Sequence, residues 1–307
     1  MWQPTANLVT LKKRAQLLAD IRAFFAQRNL LEVDVPVLGA STVTDPHLQA
    51  ISADVNGQTL FLQTSPEFYM KRLLAAGSGS CYYLGKAFRS DERGRRHRSE
   101  FTMLEWYHTG YDDRQLRAEV IHLIQSLAGA IAVRECSYAE LFEQYLNINP
   151  HTVKVDELSQ LARTRLDVQW TDPNRSVWLD LLFSHCIEPH LMDLVLVYDY
   201  PACQCALARL GLDKQGHQVA KRFEVFWRGM ELGNGYWELQ DGREQAARFA
   251  ADNAQRQAAG LPAVEPDQQL LAALAAGLPE CAGIAMGVDR LLMCLCDADA
   301  IDKVVPF

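Results

Sequence analysis

The chain has 307 residues, of which 49% are hydrophobic and 22% charged, and its formal net charge at pH 7 is -8. This negative balance argues against a broad nucleic-acid-binding surface, which is normally basic. The sequence has no run of about eighteen apolar residues and no signal-peptide pattern at its amino terminus, so we expect a cytoplasmic protein without a membrane segment.

The first part of the chain predicts a helix, a short apolar segment and a second helix. Residues 11–25, LKKRAQLLADIRAFF, have the apolar spacing of an amphipathic helix, and residues 28–37, RNLLEVDVPV, follow. Residues 63–74, QTSPEFYMKRLL, predict the end of a strand and a helix that starts at Ser65 with Pro66 at its first position. Helix capping alone would explain these two residues without a function.

Residues 81–107 predict a hairpin with a strongly basic tip. Its two flanks, residues 81–88 and 100–107, are aromatic and apolar, as strands are. The tip contains five arginines and one histidine: Arg89, Arg93, Arg95, Arg96, Arg98 and His97. The guanidinium of arginine stays charged and can bind two phosphate oxygens in parallel. The tip is therefore interpreted as a phosphate-binding loop, with a solvated charged turn as the alternative.

The middle and the later part of the chain contain elements without a chemical signature. These are predicted helices at residues 113–132, 137–146, 246–259 and 267–276, and a buried strand at residues 194–200 that Pro201 ends. With 307 residues, the chain is long enough for one large domain or two ordinary ones, and we expect one.

Residues 222–241 contain three glutamates at seven-residue spacing, Glu224, Glu231 and Glu238. In a regular strand an odd separation would put Glu231 and Glu238 on opposite faces. We therefore expect a bulge or break at residues 233–235 that turns both toward one site. Surface glutamates on an antiparallel sheet are the alternative interpretation.

The end of the chain predicts a strand that turns directly into a helix. Gly283 and Gly287 mark the strand, and the apolar helix that follows has Arg290 at its start. We expect the side chain of Arg290 to reach the same phosphates as the basic tip.

These segments together resemble the class II aminoacyl-tRNA synthetases, and the form FRSDE followed by EFTMLEWY is similar to their lysyl branch. The resemblance covers nearly the whole chain, with motif 1 at about residues 22–38, motif 2 at about 81–107 and motif 3 at about 281–296. It implies an α+β fold with an antiparallel β-sheet flanked by helices, as a single catalytic domain over residues 1–307. It also implies a homodimer formed through motif 1. The chain has no room for the anticodon-binding domain of the lysyl enzymes, so no contact with a tRNA anticodon is expected.

The resemblance also implies the residues of the site. Arg89 and Arg290 would be catalytic and hold the α- and γ-phosphates of ATP, and Glu224 and Glu231 would bind Mg2+. The implied ATP-binding residues are Arg89, Ser90, Asp91, His97, Arg98, Glu231, Leu232, Gly287 and Arg290. The implied residues for the amino-acid substrate are Ser65, Pro66, Glu67, Tyr107, Glu238 and Ala285. Among these, Glu67 would meet the amino group near the reacting carboxylate, and Glu238 the far ammonium of a lysine-like substrate.

The chain departs from the synthetase pattern at several positions. Asp91 replaces a glutamate, and Arg98 and Ser99 replace an asparagine and a proline, which puts individual ATP contacts in question. Ala285 replaces a glycine, and in this the chain resembles the free-standing paralogues that attach (R)-beta-lysine to a lysine of elongation factor P, which also carry alanine at this position.

The function that the resemblance implies is ATP-dependent and Mg2+-dependent activation of (R)-beta-lysine or lysine, with elongation factor P as the acceptor protein. Two alternatives stay open. One is a stand-alone lysyl adenylating enzyme with a tRNA or another acceptor, and the other is a non-catalytic regulator with a synthetase-like fold.

Overall fold

The structure is a computed structural model that describes residues 2–90 and 94–307. The chain forms two compact units: residues 1–112 together with 238–307, and residues 113–237. The predicted ATP-binding residue Asp91 lies outside the described residues.

The first unit begins with a long helix, a small sheet and the predicted hairpin. Its elements up to residue 112 are α1 (Leu8–Ala26), β1 (Leu31–Glu32), β2 (Leu38–Gly39), β3 (Ser52–Val55), β4 (Gln58–Leu62), α2 (Glu67–Ala75), β5 (Cys81–Phe88) and β6 (Glu100–Thr109). The hairpin is confirmed, because β5 and β6 pair antiparallel from Cys81 opposite Tyr107 to Phe88 opposite Glu100. Helix α2 begins at Glu67, two residues after Ser65 and one after Pro66, and Ser65 Oγ accepts a hydrogen bond from the Glu67 amide at 3.1 Å.

The second unit is a sheet covered by helices. Its elements are α3 (Asp113–Ala128), β7 (Val133–Ser137), α4 (Tyr138–Leu146), α5 (Val155–Leu166), α6 (Arg175–Cys186), β8 (Leu194–Pro201), β9 (Leu210–Leu212), β10 (Gln218–Phe226) and β11 (Glu231–Trp237). The strands follow the order β7, β8, β10, β11, with β9 paired to β10. The β7–β8 pair is parallel and the other pairs are antiparallel. Tyr138, Phe142, Trp178 and Phe226 belong to the buried core that α4 and α6 form with the sheet.

After residue 237 the chain completes the first unit. The remaining elements are α7 (Gly242–Ala258), α8 (Gln268–Gly277), β12 (Cys281–Gly287) and α9 (Val288–Cys296), followed by a short 3-10 helix at Ile301–Lys303. The second unit contains two more 3-10 helices, at Glu188–His190 and Ala202–Gln204. In the first unit the main strands follow the order β1, β5, β6, β12, and β2, β4 and β3 form the small sheet. The β1–β5 pair is parallel, and the β5–β6 and β6–β12 pairs are antiparallel.

Helix α1 packs on one face of the main strands in the first unit. The ring of Phe25 stacks on Tyr82 at a centroid distance of 4.6 Å and lies 5.2 Å from Trp106. Because side chains alternate along a strand, the neighbours of Trp106 on β6 project from the opposite face. A site on these strands would therefore lie on the face opposite α1.

The α+β fold class is confirmed, since both units combine mainly antiparallel strands with flanking helices. Of residues 28–37, only Leu31–Glu32 form a strand. None of the helices within residues 2–90 and 94–307 combines the length and the apolar content needed to cross a bilayer.

Candidate active site

The pairing of β6 with β12 brings two predicted substrate residues onto one face of the first unit. Glu105 lies opposite Ala285, and Tyr107 lies opposite Gly283. Paired residues and residues two apart share a face of an antiparallel sheet, so all four lie on the face opposite Trp106.

Gly283 makes room for two of the predicted substrate residues. A Cβ atom at this position would lie 2.3 Å from the ring of Tyr107 and 2.9 Å from Glu238 Oε1. Glu238 is held next to β12 because its amide donates to the carbonyl of Cys281 at 3.0 Å. The absence of a side chain at residue 283 therefore lets Tyr107 and Glu238 meet in one pocket.

A buried lysine that the sequence analysis missed joins the two predicted carboxylates. Lys71 Nζ lies 2.5 Å from Glu67 Oε1 and 2.7 Å from Glu238 Oε2. The lysine is only 2% exposed. Burial by itself lowers the pKa of Lys71, but Glu238 and Glu67 outweigh this effect and raise the pKa above its usual value, so Lys71 stays charged.

Glu105 is the third carboxyl group of this pocket and is only 1% exposed, and the sequence analysis missed it too. Its Oε1 accepts a hydrogen bond from the Tyr107 hydroxyl at 2.7 Å, and its Oε2 has no hydrogen-bond partner among the described residues. Burial, and next the charge of Glu67, raise the pKa of Glu105 to about 8. Burial and the same carboxylates also raise the pKa of Tyr107. The signal that could have revealed Glu105 is a single acid within the mainly apolar residues 101–107.

Ser65, Pro66 and Glu67 lie where α2 begins. Pro66 is the residue before the first turn, and Glu67 is its first residue, where the helix dipole favours a negative charge. Because Lys71 follows Glu67 by one turn of the same helix, α2 presents a carboxylate and an ammonium together. The predicted substrate residues Glu67, Tyr107 and Glu238 thus belong to one cluster, which we call the acidic pocket: Glu67, Lys71, Glu105, Tyr107 and Glu238.

The predicted phosphate-binding arginine of motif 3 contacts the basic tip. The Arg290 guanidinium contacts His97 Nε2, and its Nε donates to the carbonyl of Arg96 at 3.4 Å. Gly287 is the residue before α9 and aligns with Met103 on β6. The structure therefore brings Arg290 next to His97 of the basic tip, and the binding of both to the same phosphates stays a prediction.

Arg89 and Ser90 lie at the end of β5. The Arg89 guanidinium lies 5.2 Å from the ring centroid of Phe101, and the Ser90 amide donates to the carbonyl of Gln49 at 2.9 Å. The Arg89 amide donates to the carbonyl of Ser99 at 2.9 Å. These backbone bonds fix the point at which the basic tip leaves the hairpin.

Arg98, which is also predicted to bind ATP, contacts residues near the end of the chain. Its Nε donates to Asp302 Oδ1 at 3.0 Å, and a second nitrogen contacts the carbonyl oxygen of Phe307. Arg95 pairs with Asp299 at 3.0 Å, and its carbonyl accepts from the amide of Ile301 at 2.9 Å. An asparagine would be too short for these contacts, so the departure at Arg98 ties the tip to this acidic segment.

Asp289 fixes the start of α9 beside Arg290. It is 2% exposed, and its two carboxylate oxygens accept from Arg14 at 2.5 Å and from the Thr102 amide at 2.7 Å. A second nitrogen of Arg14 donates to the Thr102 hydroxyl at 2.6 Å. This network joins α1, β6 and α9 within the first unit, and sequence reasoning did not find it.

Glu224, Glu231 and Leu232 belong to the second unit, on β10 and β11. Glu224 lies opposite Asn234 and Phe226 lies opposite Glu231, with the register shifting between Val225 and Phe226. The extra residue is the buried Leu232, so the bulge predicted at residues 233–235 is in fact one residue earlier. It forms there because Gly233 and Asn234 keep regular pairing with β10.

Glu224 is a buried carboxylate with a second acid nearby. Its Oε2 accepts from the Tyr200 hydroxyl at 2.7 Å, and its Oε1 contacts the Arg222 guanidinium. Burial raises the pKa of Glu224 to about 7, Arg222 opposes the shift, and Glu231 adds to it. Two mutually repelling carboxylates fit a hard cation, which takes oxygen ligands.

Within the described ranges, no three His, Cys, Asp or Glu side chains are grouped as metal ligands. A magnesium ion usually uses only one or two carboxylates and completes its shell with water and substrate phosphates. Glu224 and Glu231 therefore fit Mg2+ bound together with a nucleotide, and do not resemble a site made of protein ligands alone.

Comparisons with known proteins agree with this arrangement. A family model described as tRNA synthetases class II (D, K and N) matches residues 4–307. The chain is 47% identical to a protein of Vibrio cholerae serotype O1 named elongation factor P–(R)-beta-lysine ligase, over 100% of this chain and 97% of that protein. Proteins of the same name from Photorhabdus laumondii and Proteus mirabilis are each 44% identical over the same shares of both chains. The chain therefore belongs to the class II tRNA synthetase family of the D, K and N type.

Proposed function

We propose that this protein is an ATP-dependent, AMP-forming ligase that activates (R)-beta-lysine or lysine and transfers it to a lysine side chain of elongation factor P. The observation that carries the proposal is the acidic pocket, in which the buried Glu105 and Glu238 and the partly buried Glu67 surround Lys71 and Tyr107. Its support from relatives is the shared name of proteins that are 44–47% identical over the whole chain.

The acidic pocket suits a substrate with ammonium groups. A buried ammonium requires an acidic partner, because an unpaired charge is costly in a low-dielectric interior. We assign Glu238 to the far ammonium of the substrate and Glu67 to the amino group near its carboxylate. Ser65, Pro66, Tyr107 and Ala285 would complete the walls around it.

The first step is activation of the substrate with ATP. A substrate carboxylate oxygen attacks the α-phosphorus, the bond to the bridging oxygen breaks, and pyrophosphate leaves with that electron pair. We assign Arg89 to the α-phosphate and Arg290 to the γ-phosphate, with Ser90, His97, Leu232 and Gly287 as further nucleotide contacts. No protein nucleophile is needed, and each well-placed cation contributes about 3 to 4 kcal/mol to stabilising the transition state.

We assign Mg2+ to Glu224 and Glu231. The ion would neutralise negative charge on the phosphate oxygens of the nucleotide. The raised pKa of Glu224 follows chiefly from burial, and a bound cation would favour its ionised form.

The second step is transfer. The neutral amine of an acceptor lysine attacks the carbonyl carbon of the aminoacyl adenylate, the bond to AMP breaks, and the nitrogen loses a proton to solvent as the amide forms.

We propose a cytoplasmic homodimer. All eight cysteines are free thiols, as is usual in a reducing compartment.

The test is the intact mass of unmodified elongation factor P after incubation with this protein, ATP, Mg2+ and either (R)-beta-lysine or lysine. We expect a gain of one lysyl unit, and the faster isomer identifies the substrate. An Arg290→Ala variant should lose the activity, whereas Arg163→Ala, at an exposed position of α5, should keep it. Charging of tRNA without a gain on elongation factor P would contradict the proposal in favour of a lysyl adenylating enzyme, and no adenylation at all would favour a regulator.

A further inference from the structure

Lys71 is a cation inside a pocket built to receive cations. Its ammonium already pairs with Glu67 and Glu238, the two carboxylates assigned to the ammonium groups of the substrate. A bound substrate must therefore share these carboxylates with Lys71. The role of Lys71 decides how much charge the pocket offers to a ligand.

The charge of the acidic pocket can be counted from the described side chains. Glu67, Glu105 and Glu238 are the carboxylates whose charges act most strongly on the Tyr107 hydroxyl, and Lys71 pairs with two of them. When all four groups are ionised, two negative charges are left over. Lysine and (R)-beta-lysine each carry two ammonium groups, which would bring the pocket to neutrality.

Lys71 is placed to hold this count. Its side chain is enclosed, and the position one helical turn after Glu67 keeps its ammonium beside that carboxylate. Breaking a buried ion pair leaves an uncompensated charge, so Lys71 has no low-energy position outside the pocket.

We propose that Lys71 is a positioning residue that selects the charge of the substrate: it neutralises one of the three carboxylates, so that the pocket takes an amino acid with two ammonium groups. This inference rests on the proposed function for the identity of the substrate. It goes beyond that function by assigning the selection of substrate charge to Lys71, which stays in the pocket when the substrate binds.

The selection has a measurable consequence at Glu105. Without substrate, burial and the charge of Glu67 keep Glu105 largely protonated at neutral pH, since its pKa is raised to about 8. The titratable and charged groups around it are Glu67 and Lys71 on α2, Cys81 and Tyr83 on β5, Tyr107 on β6, and Glu238. A second ammonium from the substrate favours ionised Glu105, so binding should release a proton.

The first experiment uses the wild-type protein. Calorimetric titration with L-lysine at pH 7, in two buffers of different ionisation enthalpy, measures the protons released on binding. We expect about one proton per lysine and none for norleucine, which lacks the second ammonium. Equal proton release for both ligands would overturn the inference, and absence of binding by both lysine and (R)-beta-lysine would overturn the inference and the proposed function together.

The second experiment restores the charge count by a paired change. Glu105→Gln leaves the pocket one negative charge short, and we expect lysine affinity to fall by about tenfold or more. Adding Lys71→Met, which keeps the length of the side chain, returns the count to two and should recover most of that loss. Losses that simply add in the double variant would contradict the inference.

Lys71→Met alone and Lys71→Arg separate charge from packing. With Met, Glu67 and Glu238 alone balance the two ammonium groups of the substrate, so Glu105 can keep its proton and lysine binding at pH 7 should release much less than one proton, whereas Arg should keep the wild-type proton release. Equal proton release for Met and wild type would reduce Lys71 to packing and sink the inference. If wild type binds lysine with proton release but leaves elongation factor P unmodified, the proposed function fails and the charge selection stands.

Discussion

Glu105 lies between the apolar Leu104 and Trp106 on β6, and its raised pKa makes the stability of the folded protein depend on pH. Its pKa is about 8 in the folded protein against 4.5 for an ordinary glutamate, chiefly because it is buried. Between these values the native state holds a proton that the unfolded chain releases. The stability that this proton provides is therefore complete below about pH 4.5 and is lost as the pH rises through about 8.

We predict that Glu105→Gln makes the free energy of unfolding less dependent on pH over this interval. An amide has no proton to lose, whereas Glu105 contributes a slope that approaches about 1.4 kcal/mol per pH unit. Urea unfolding of both proteins at several pH values between 5 and 8 measures the difference. Glu100→Gln, at an exposed position of the same strand, serves as the control, and parallel curves for wild type and Glu105→Gln would contradict the prediction.

The individual residues of the acidic pocket were only partly predictable. Glu67, Tyr107 and Glu238 could be named from the family motifs, and they do lie together. Lys71 was overlooked because a lysine on an amphipathic helix normally lies in solvent, and nothing local shows that Glu238 reaches it. Their roles in binding stay predictions.

At the scale of elements, β12 illustrates how one missing side chain shapes a pocket. We predict that Gly283→Ala raises the KM for the amino acid by at least about tenfold with little effect on the KM for ATP, because its Cβ would clash with the Tyr107 ring. Pyrophosphate exchange kinetics measure both constants. Gly287→Ala is the matched control for stability, since the nearest atoms to a Cβ there belong to the flexible Arg290 side chain, at 3.7 Å or more. An unchanged KM for the amino acid in Gly283→Ala would contradict the prediction.

The network at Asp289 predicts a loss of stability. Asp289→Asn removes the negative charge that Arg14 and the Thr102 amide share, and leaves Arg14 without its buried partner. We expect the free energy of unfolding to fall by about 3 to 5 kcal/mol. Urea denaturation followed by circular dichroism measures this, with Asp156→Asn on the exposed side of α5 as the control. A loss no larger than that of the control would show that the network contributes little.

Elements were predicted best where the pattern is local. The hairpin β5–β6, the strand β8 and the turn from β12 into α9 agree with the sequence analysis, because alternating apolar residues, proline and glycine act over a few residues. The bulge was misplaced because the pairing partner β10 decides which residue is extra. The contact of Arg98 with Asp302 spans 204 residues and has no local signal.

At the scale of the whole molecule, β1 is an edge strand with apolar side chains in solvent. Leu31 of β1 is 52% exposed, and Val37, which lies between β1 and β2, is 42% exposed; both lie in the predicted motif 1. Exposed apolar groups on an edge strand favour association. We predict a homodimer with twice the chain mass of 34.5 kDa by size-exclusion chromatography with light scattering, weakened in a Leu31→Glu variant. A single 34.5 kDa species would rule out the dimer.

The α+β class could be predicted for the molecule as a whole, because the motifs resemble a family with that fold. The division into two compact units could not. The chain passes from β6 into α3 across only the residues between Thr109 and Asp113, without the flexible composition that marks a linker.

The contacts of the first unit impose an order on folding. Arg14 and Asp289 are 275 residues apart, and Thr102 and Asp289 are 187 apart, so these bonds close very long loops. Glu238 follows the second unit in the chain, whereas Lys71 precedes it. During synthesis, Lys71 and Glu67 therefore leave the ribosome before Glu238. Lys71 lacks this second carboxylate partner until the second unit has been made. A nascent chain that stalls before Glu238 would leave the acidic pocket incomplete, with one carboxylate too few beside Lys71.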